Sequence, residues 1–192
     1  MYYIPYNNEC KINYSFLFCL YKIAKSNQKE RIKNKIEYNS LREFAETLEN
    51  TCGFSVSATT IQRILNNEEY TLYFDYDKKN KTILLKNDFK NKTNVKFVVL
   101  SEKEVNFFIK QNNDFLCKYY LYLKFYCGAS KMNETNVTAE QILSAIGYSV
   151  KSGKNKEKIC FFNSLLVKNG FIYINKIRLN GKERNIYKIQ DI

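Results

Sequence analysis

Thr138-Ala139-Glu140-Gln141-Ile142-Leu143-Ser144-Ala145-Ile146-Gly147 decides how this chain reads. A threonine followed three residues later by glutamine is a capping box. The hydroxyl accepts the N3 amide, and the glutamine reaches back to the cap amide. Ala139, Ile142, Leu143 and Ile146 fall at i, i+3, i+4 and i+7, one apolar stripe of a helix. Gly147 supplies a left-handed stop. The same spacing occurs earlier at Leu41, Phe44, Ala45 and Leu48, with Ser40 and Glu43 as the capping pair. One constant offset also carries Ile61 and Ile64 onto Ile159 and Phe162, and Tyr73 and Phe74 onto Phe171 and Ile172. An offset one residue longer carries Leu17, Tyr21 and Ala24 onto Leu116, Tyr120 and Leu123. Few letters coincide, so what repeats is the pattern of apolar positions.

Each copy reads helix, helix, helix, β-hairpin. In the first, a helix over Tyr14–Lys25 has the stripe Phe16, Leu17, Leu20, Ile23 and Ala24. A basic polar stretch runs from Ser26 to Lys35, and Ile36–Tyr38 suits a short strand. Asn39 or Ser40 caps the second helix, which ends near Glu49, and Gly53 makes the turn. Ser55 or Ser57 caps the third, to about Asn66. Tyr70–Tyr76 and Lys81–Leu85 alternate around an Asp77–Asn80 tip. Lys86–Asn94 reads as a linker and Val95–Leu100 as a strand. Ser101 and Glu104 open a helix to Gln111, which either bridges the copies or belongs to the second. The second copy begins with a helix over Asp114–Cys127, with Leu116, Tyr119, Tyr120, Leu123 and Cys127 inward. Its third helix, about Asn155–Lys168, buries Ile159, Phe162, Leu165 and Leu166. Phe171–Leu179 and Glu183–Ile189 meet at Asn180-Gly181, a strong hairpin signal. The expected fold class is α+β, mainly helical: two tandem winged helix-turn-helix units, each three helices plus a β-hairpin wing. The first unit covers 1–90 and the second 112–192, with a linker strand and short bridging helix over 91–111.

The formal charge is +12 and the pI near 9.3, which makes a polyanion the default partner. Codon bias toward lysine would give the same surplus without function. A hydrophobic fraction of 45% and a single proline describe a folded chain. Cys10, Cys19, Cys52, Cys117, Cys127 and Cys160 form no CxxC pair, and no histidine completes a zinc site. Reduced, mostly buried thiols of a cytoplasmic protein are expected. Met1–Glu9 lacks the features of a signal peptide. Tyr14–Ala24 and Phe115–Cys127 are too short to span a bilayer.

In a winged helix the third helix enters the major groove and the wing touches the backbone. In the first unit Ala58, Ile61, Ile64 and Leu65 point inward, leaving Thr59, Thr60, Gln62, Arg63 and Asn66 outward. Arg63 suits guanine O6/N7, while Gln62 or Asn66 suits adenine N6/N7. In the second unit the free face is expected to carry Lys154, Asn155, Lys156, Lys158 and Asn163, a set suited to phosphate. The wings add Lys78, Lys79 and Lys81, then Arg178, Lys182 and Arg184. Solvated helix faces and loops also look like this; the recurrence in both units is what strengthens the set.

No P-loop is present. Without histidine there is no Ser-His-Asp triad and no His-ligated metal. Asp75, Asp77 and Asp88 form no metal pattern. No cofactor and no enzymatic activity are expected.

Tyr119–Lys124, Thr138–Leu143, Ile146–Ser149 and Leu165–Ile172 together resemble the winged-helix domains of plasmid and phage replication initiators and replisome organisers of low-GC Gram-positive bacteria. The resemblance covers Asp114–Ile189 directly and Tyr14–Leu85 through the repeat. It implies a protein that binds repeated origin sites in double-stranded DNA, often as a homodimer, and that meets other replication proteins. A transcriptional regulator, a conjugation accessory factor and a winged-helix protein-interaction module share the same fold.

Overall fold

The structure is a computed structural model and describes residues 1–7, 11–26, 34–86, 96–179 and 181–190. The basic stretch at 27–33, the linker at 87–95, Cys10, Asp88 and Asn180 lie outside the described residues. The fold is α+β, roughly half helical, with seven α-helices and three small antiparallel sheets among the described residues. The chain divides into two compact units: Met1–Pro5 with Cys10–Asp114, and Tyr6–Glu9 with Phe115–Ile192.

In the first unit, β1 (Tyr2–Pro5) precedes α1 (Tyr14–Ser26). Every residue from Tyr14 to Tyr21 is buried, as are Ile23 and Ala24. A helix apolar all round belongs inside, and each large side chain so buried contributes about 1.5–3 kcal/mol. Next come β2 (Lys35–Glu37), α2 (Leu41–Cys52), α3 (Ala58–Leu65), β3 (Phe74–Asp77) and β4 (Thr82–Leu85). Ser40 Oγ accepts from the Glu43 amide at 3.1 Å, and Gly53 closes α2 at φ 66°. β4 lies between β2 and β3, with Ile83 opposite both Ile36 and Tyr76.

Two expectations change here. The strand expected from Tyr70 starts only at Phe74, because Asn67 Oδ1 accepts from the Glu69 amide and caps a 3-10 turn over Glu68–Tyr70. The segment expected as a linker strand and bridging helix is built into the first unit. β5 (Phe97–Leu100) pairs antiparallel with β1, Tyr2 opposite Leu100. α4 (Glu102–Gln111) packs on α1, where Ser15 Oγ donates to the Phe108 carbonyl at 3.3 Å and the Phe18 and Phe108 rings lie 6.3 Å apart. Its buried Glu104 carboxylate is satisfied by the Ser101 amide at 2.6 Å, the return half of a capping box.

The second unit runs α5 (Asp114–Ala129), β6 (Glu134–Asn136), α6 (Ala139–Ala145), α7 (Gly153–Lys168), β7 (Ile172–Leu179) and β8 (Lys182–Ile189). α5 is the buried central helix. Ile142, Leu143, Ile146, Ile159, Phe162, Leu166, Phe171 and Ile172 pack in the same core. Leu165, expected inside, is only half-buried. Thr138 and Gln141 form the reciprocal capping box. β6 was not expected; it pairs with β8, so β8 lies between β6 and β7. Of the described cysteines, Cys19, Cys117 and Cys127 are buried, Cys52 is half-buried, and Cys160 on α7 is exposed.

The two units share one order: helix, strand, helix, helix, hairpin. In the three-stranded sheet of each, the last strand sits between the other two; the first unit adds β1, β5 and α4. The apolar repeat holds at several positions, though not all: Leu143 is buried where its counterpart Ala45 is half-buried. Ile61 and Ile159 are both buried, and so are Ile64 and Phe162. Tyr73 and Phe171 each fill the core one residue before the hairpin begins.

Candidate nucleic-acid interface

α7 of the second unit turns Ile159, Phe162 and Leu166 inward, and so fixes which residues face out. Lys154, Lys156, Glu157, Lys158, Cys160, Phe161, Ser164, Val167 and Lys168 are exposed. Lys156 Nζ lies 2.7 Å from Glu140 Oε1 on α6. Both partners are largely solvated, so the pair holds Lys156 weakly, by at most about 1 kcal/mol. Lys158 Nζ sits 5.6 Å from the centre of the Phe115 ring, which itself stacks on Tyr148 at 3.9 Å. Asn155 is half-buried, and its amide donates to the Ser149 carbonyl at 3.0 Å.

Asn163 departs from the expected free face. It is half-buried and belongs to a network joining α5, α7 and β8. The Tyr119 hydroxyl donates to Asn163 Oδ1, and Asn163 Nδ2 donates to the Tyr187 hydroxyl at 3.5 Å. Asn185 Nδ2 reaches the same hydroxyl at 3.2 Å. Burial raises the Tyr119 phenol well above its ordinary pKa, so it stays neutral and able to donate.

The β7–β8 hairpin continues beyond its third strand. β6 pairs with β8 only at Ile186–Lys188. The pairs from Lys176–Asn185 to Leu179–Lys182 form a two-stranded arm, about 10 Å long at the usual rise per residue. Register places Lys176 and Arg178 on one face of this arm and Arg184 on the other. Arg178 and Arg184 are exposed. Lys182 opens β8 opposite Leu179.

The first unit offers a thinner set. On α3, Thr59, Gln62, Arg63 and Asn66 are exposed. Thr60 is half-buried, and its hydroxyl accepts from Ser57 Oγ at 3.0 Å within the helix cap. β2 spans the whole hairpin, so only the turn 78–81 projects. Lys78 and Lys79 are exposed there. Lys81 is tied back, with Nζ donating to the Asn39 carbonyl at 2.5 Å. Asp77 at the turn accepts from the Asn80 amide at 3.0 Å and from Asn80 Nδ2 at 2.6 Å, which holds its carboxyl below the ordinary pKa. A groove of about 710 Å³ beside β2 includes Glu37, Glu43 and Asp77. Another, of about 410 Å³ below α3, includes Glu68 and Asp75.

Charge follows this division. Residues 115–192 hold 13 Lys/Arg against 5 Asp/Glu, whereas residues 1–114 hold 18 against 14. Glu157 and Phe161 on α7 are absent from the expected contact set. The signal for them was present: once 159, 162 and 166 take the core, 157 and 161 must face outward.

No family model, curated protein or solved structure matches the chain. Among the described residues no helix is long and apolar enough to cross a membrane, and no cluster of His, Cys, Asp and Glu is placed to hold a metal ion.

Proposed function

We propose that this chain is a non-enzymatic double-stranded DNA-binding protein of two winged helix-turn-helix units, in which the second unit grips the duplex. The observation that carries the reading is the concentration of Lys and Arg on α7 and on the β7–β8 arm. In a winged helix those are the elements that enter the major groove and follow the backbone. The strand order, with the last strand in the middle, suits that fold in both units. The resemblance of the second half to replication initiators and replisome organisers makes origin binding on a plasmid or phage the process we favour. A transcriptional regulator or conjugation factor would differ in where its sites lie, not in its chemistry.

A second reading applies to the first unit. Glu43, Glu46 and Glu49 are exposed on α2, and carboxylates line both grooves beside its hairpin. Arg42 pairs with Glu46, Lys35 with Glu37 and Lys86 with Asp75, so this surface is of mixed charge, attracts a polyanion less than α7 does, and suits a protein partner.

Selection from a random duplex library at about 150 mM salt, with the salt slope of the winners, tests both readings. One enriched motif supports DNA reading by the second unit. A two-part motif with half-sites about one helical turn apart puts α3 on DNA as well. Binding without enrichment, steeply weakened by salt, reduces the +12 charge to non-specific attraction and removes the proposal.

A further inference from the structure

The outward face of α7 is not uniformly basic. Cys160, Ser164 and Val167 are exposed on it as well. Two exposed residues differ most from a lysine face: Glu157, the only carboxylate of the helix, and Phe161, the most exposed of its apolar side chains at 63%. They stand at i and i+4, so their side chains are neighbours on one stripe. Lys154 and Lys158 lie three and one residues from Glu157, and Lys158 and Lys168 lie three and seven from Phe161. Glu157 makes no ion pair with a described residue, although lysines flank it.

Each of the two is unfavourable on a surface that merely attracts phosphate. A carboxylate there is repelled unless a hydrogen-bond donor awaits it. An exposed phenyl ring gains nothing from phosphate and needs apolar surface to cover it. The major-groove edge of a duplex supplies both partners: the N4 amine of cytosine and the C5-methyl of thymine. Four helical residues advance about 6 Å, close to two base steps.

Resting on the DNA-binding reading above, we propose that Glu157 and Phe161 are the base-reading pair of α7. Glu157 accepts a hydrogen bond from a cytosine N4 amine. Phe161 covers the methyl of a thymine about two base pairs away, while Lys154 and Lys158 hold phosphates on either side. The second unit then does more than position itself on the backbone: it selects sequence through one carboxylate and one ring.

The test is duplex selection with the full chain and with two variants, Glu157→Gln and Phe161→Ser. The wild type is expected to enrich a motif containing both a cytosine and a thymine. Glu157→Gln should move the preference at the cytosine position to adenine, because a carboxamide matches adenine N6/N7. Replacing the selected thymine by uracil, which deletes only the methyl, should weaken wild-type binding about fourfold and leave Phe161→Ser unaffected. Unchanged motifs in both variants, with indifference to uracil, overturn this inference while DNA binding itself stands. Absence of any enriched motif for the wild type overturns the DNA reading and this inference together. If Phe161→Ser instead turns a dimer into a monomer in sedimentation, the ring belongs to a contact between copies and the inference falls.

Discussion

Arg178 and Arg184 offer the cleanest residue-level test, because both are exposed and stand on opposite faces of a projecting arm. As phosphate contacts, each replaced by alanine should reduce the slope of log affinity against log salt by about one and leave the selected motif unchanged. Titrations over a salt series measure this; a lost motif with an unchanged slope would contradict it. Arg63 belongs to the unit whose grooves carry carboxylates, so Arg63→Ala should leave affinity and footprint unaltered. A loss of about 1–3 kcal/mol with one relaxed base position would instead place α3 in the groove. At this scale the sequence told outward from inward at most of α3, Thr60 excepted. Ile61, Ile64 and Leu65 left Gln62 and Arg63 outside, as the structure has them. It missed Asn163, because nothing along α7 announces that a phenol arrives from α5 to claim its amide. It passed over Phe161 because the adjacent Phe162 satisfied the apolar period, and apolarity alone does not say which of two neighbouring rings is buried.

Helix ends were legible for a different reason: a cap is a contact between residues three apart. Ser101 with Glu104 and Thr138 with Gln141 form the capping boxes read from the sequence. At Ser40 only the hydroxyl half forms, because Glu43 accepts from Asn39 Nδ2 instead of the Ser40 amide. Gly147 takes φ 77° where a left-handed stop was expected. Thr138→Ala should therefore cost about 1 kcal/mol and lower the melting midpoint by about 2–4 °C, measured by thermal denaturation. Strands were less legible. β6 is Glu134-Thr135-Asn136, polar at every position, and exists only because β8 offers it a ladder. β1 has four residues, and its partner β5 lies far along the chain. Asn163 supplies the matching test between elements. Asn163→Leu strips the acceptor from a buried tyrosine hydroxyl and should cost about 1–3 kcal/mol, the penalty of an unsatisfied polar group. Because the same network joins α7 to β8, this variant should also weaken DNA binding more than its loss of stability explains, measured well below its melting point. Equal affinity in the folded variant would separate the network from the interface.

Across the whole molecule the absence of histidine removes the usual titration near neutral pH, and tyrosine takes over at the alkaline end. The chain has 16 tyrosines and no tryptophan, so phenols dominate its near-ultraviolet absorbance and report their own ionisation. Burial pushes the phenols of Tyr2, Tyr70 and Tyr122 up to about 12, and raises Tyr21 further. In the unfolded chain a phenol titrates near 10. Between pH 10 and about 12 the unfolded state has released protons that the native state still binds, so the native state holds more protons. Stability then falls as pH rises, and the contribution is complete below pH 10. Urea midpoints should be flat up to about pH 10 and drop steeply above it, with tyrosinate absorbance appearing together with unfolding for the buried set. Both central helices contribute phenols to that set, Tyr21 from α1 and Tyr122 from α5, so each unit carries its own alkaline trigger. If every tyrosine ionised near pH 10 while the fold persisted, the burial of the Tyr21 and Tyr122 hydroxyls would be wrong, since a desolvated phenol with no cation beside it titrates above its ordinary value.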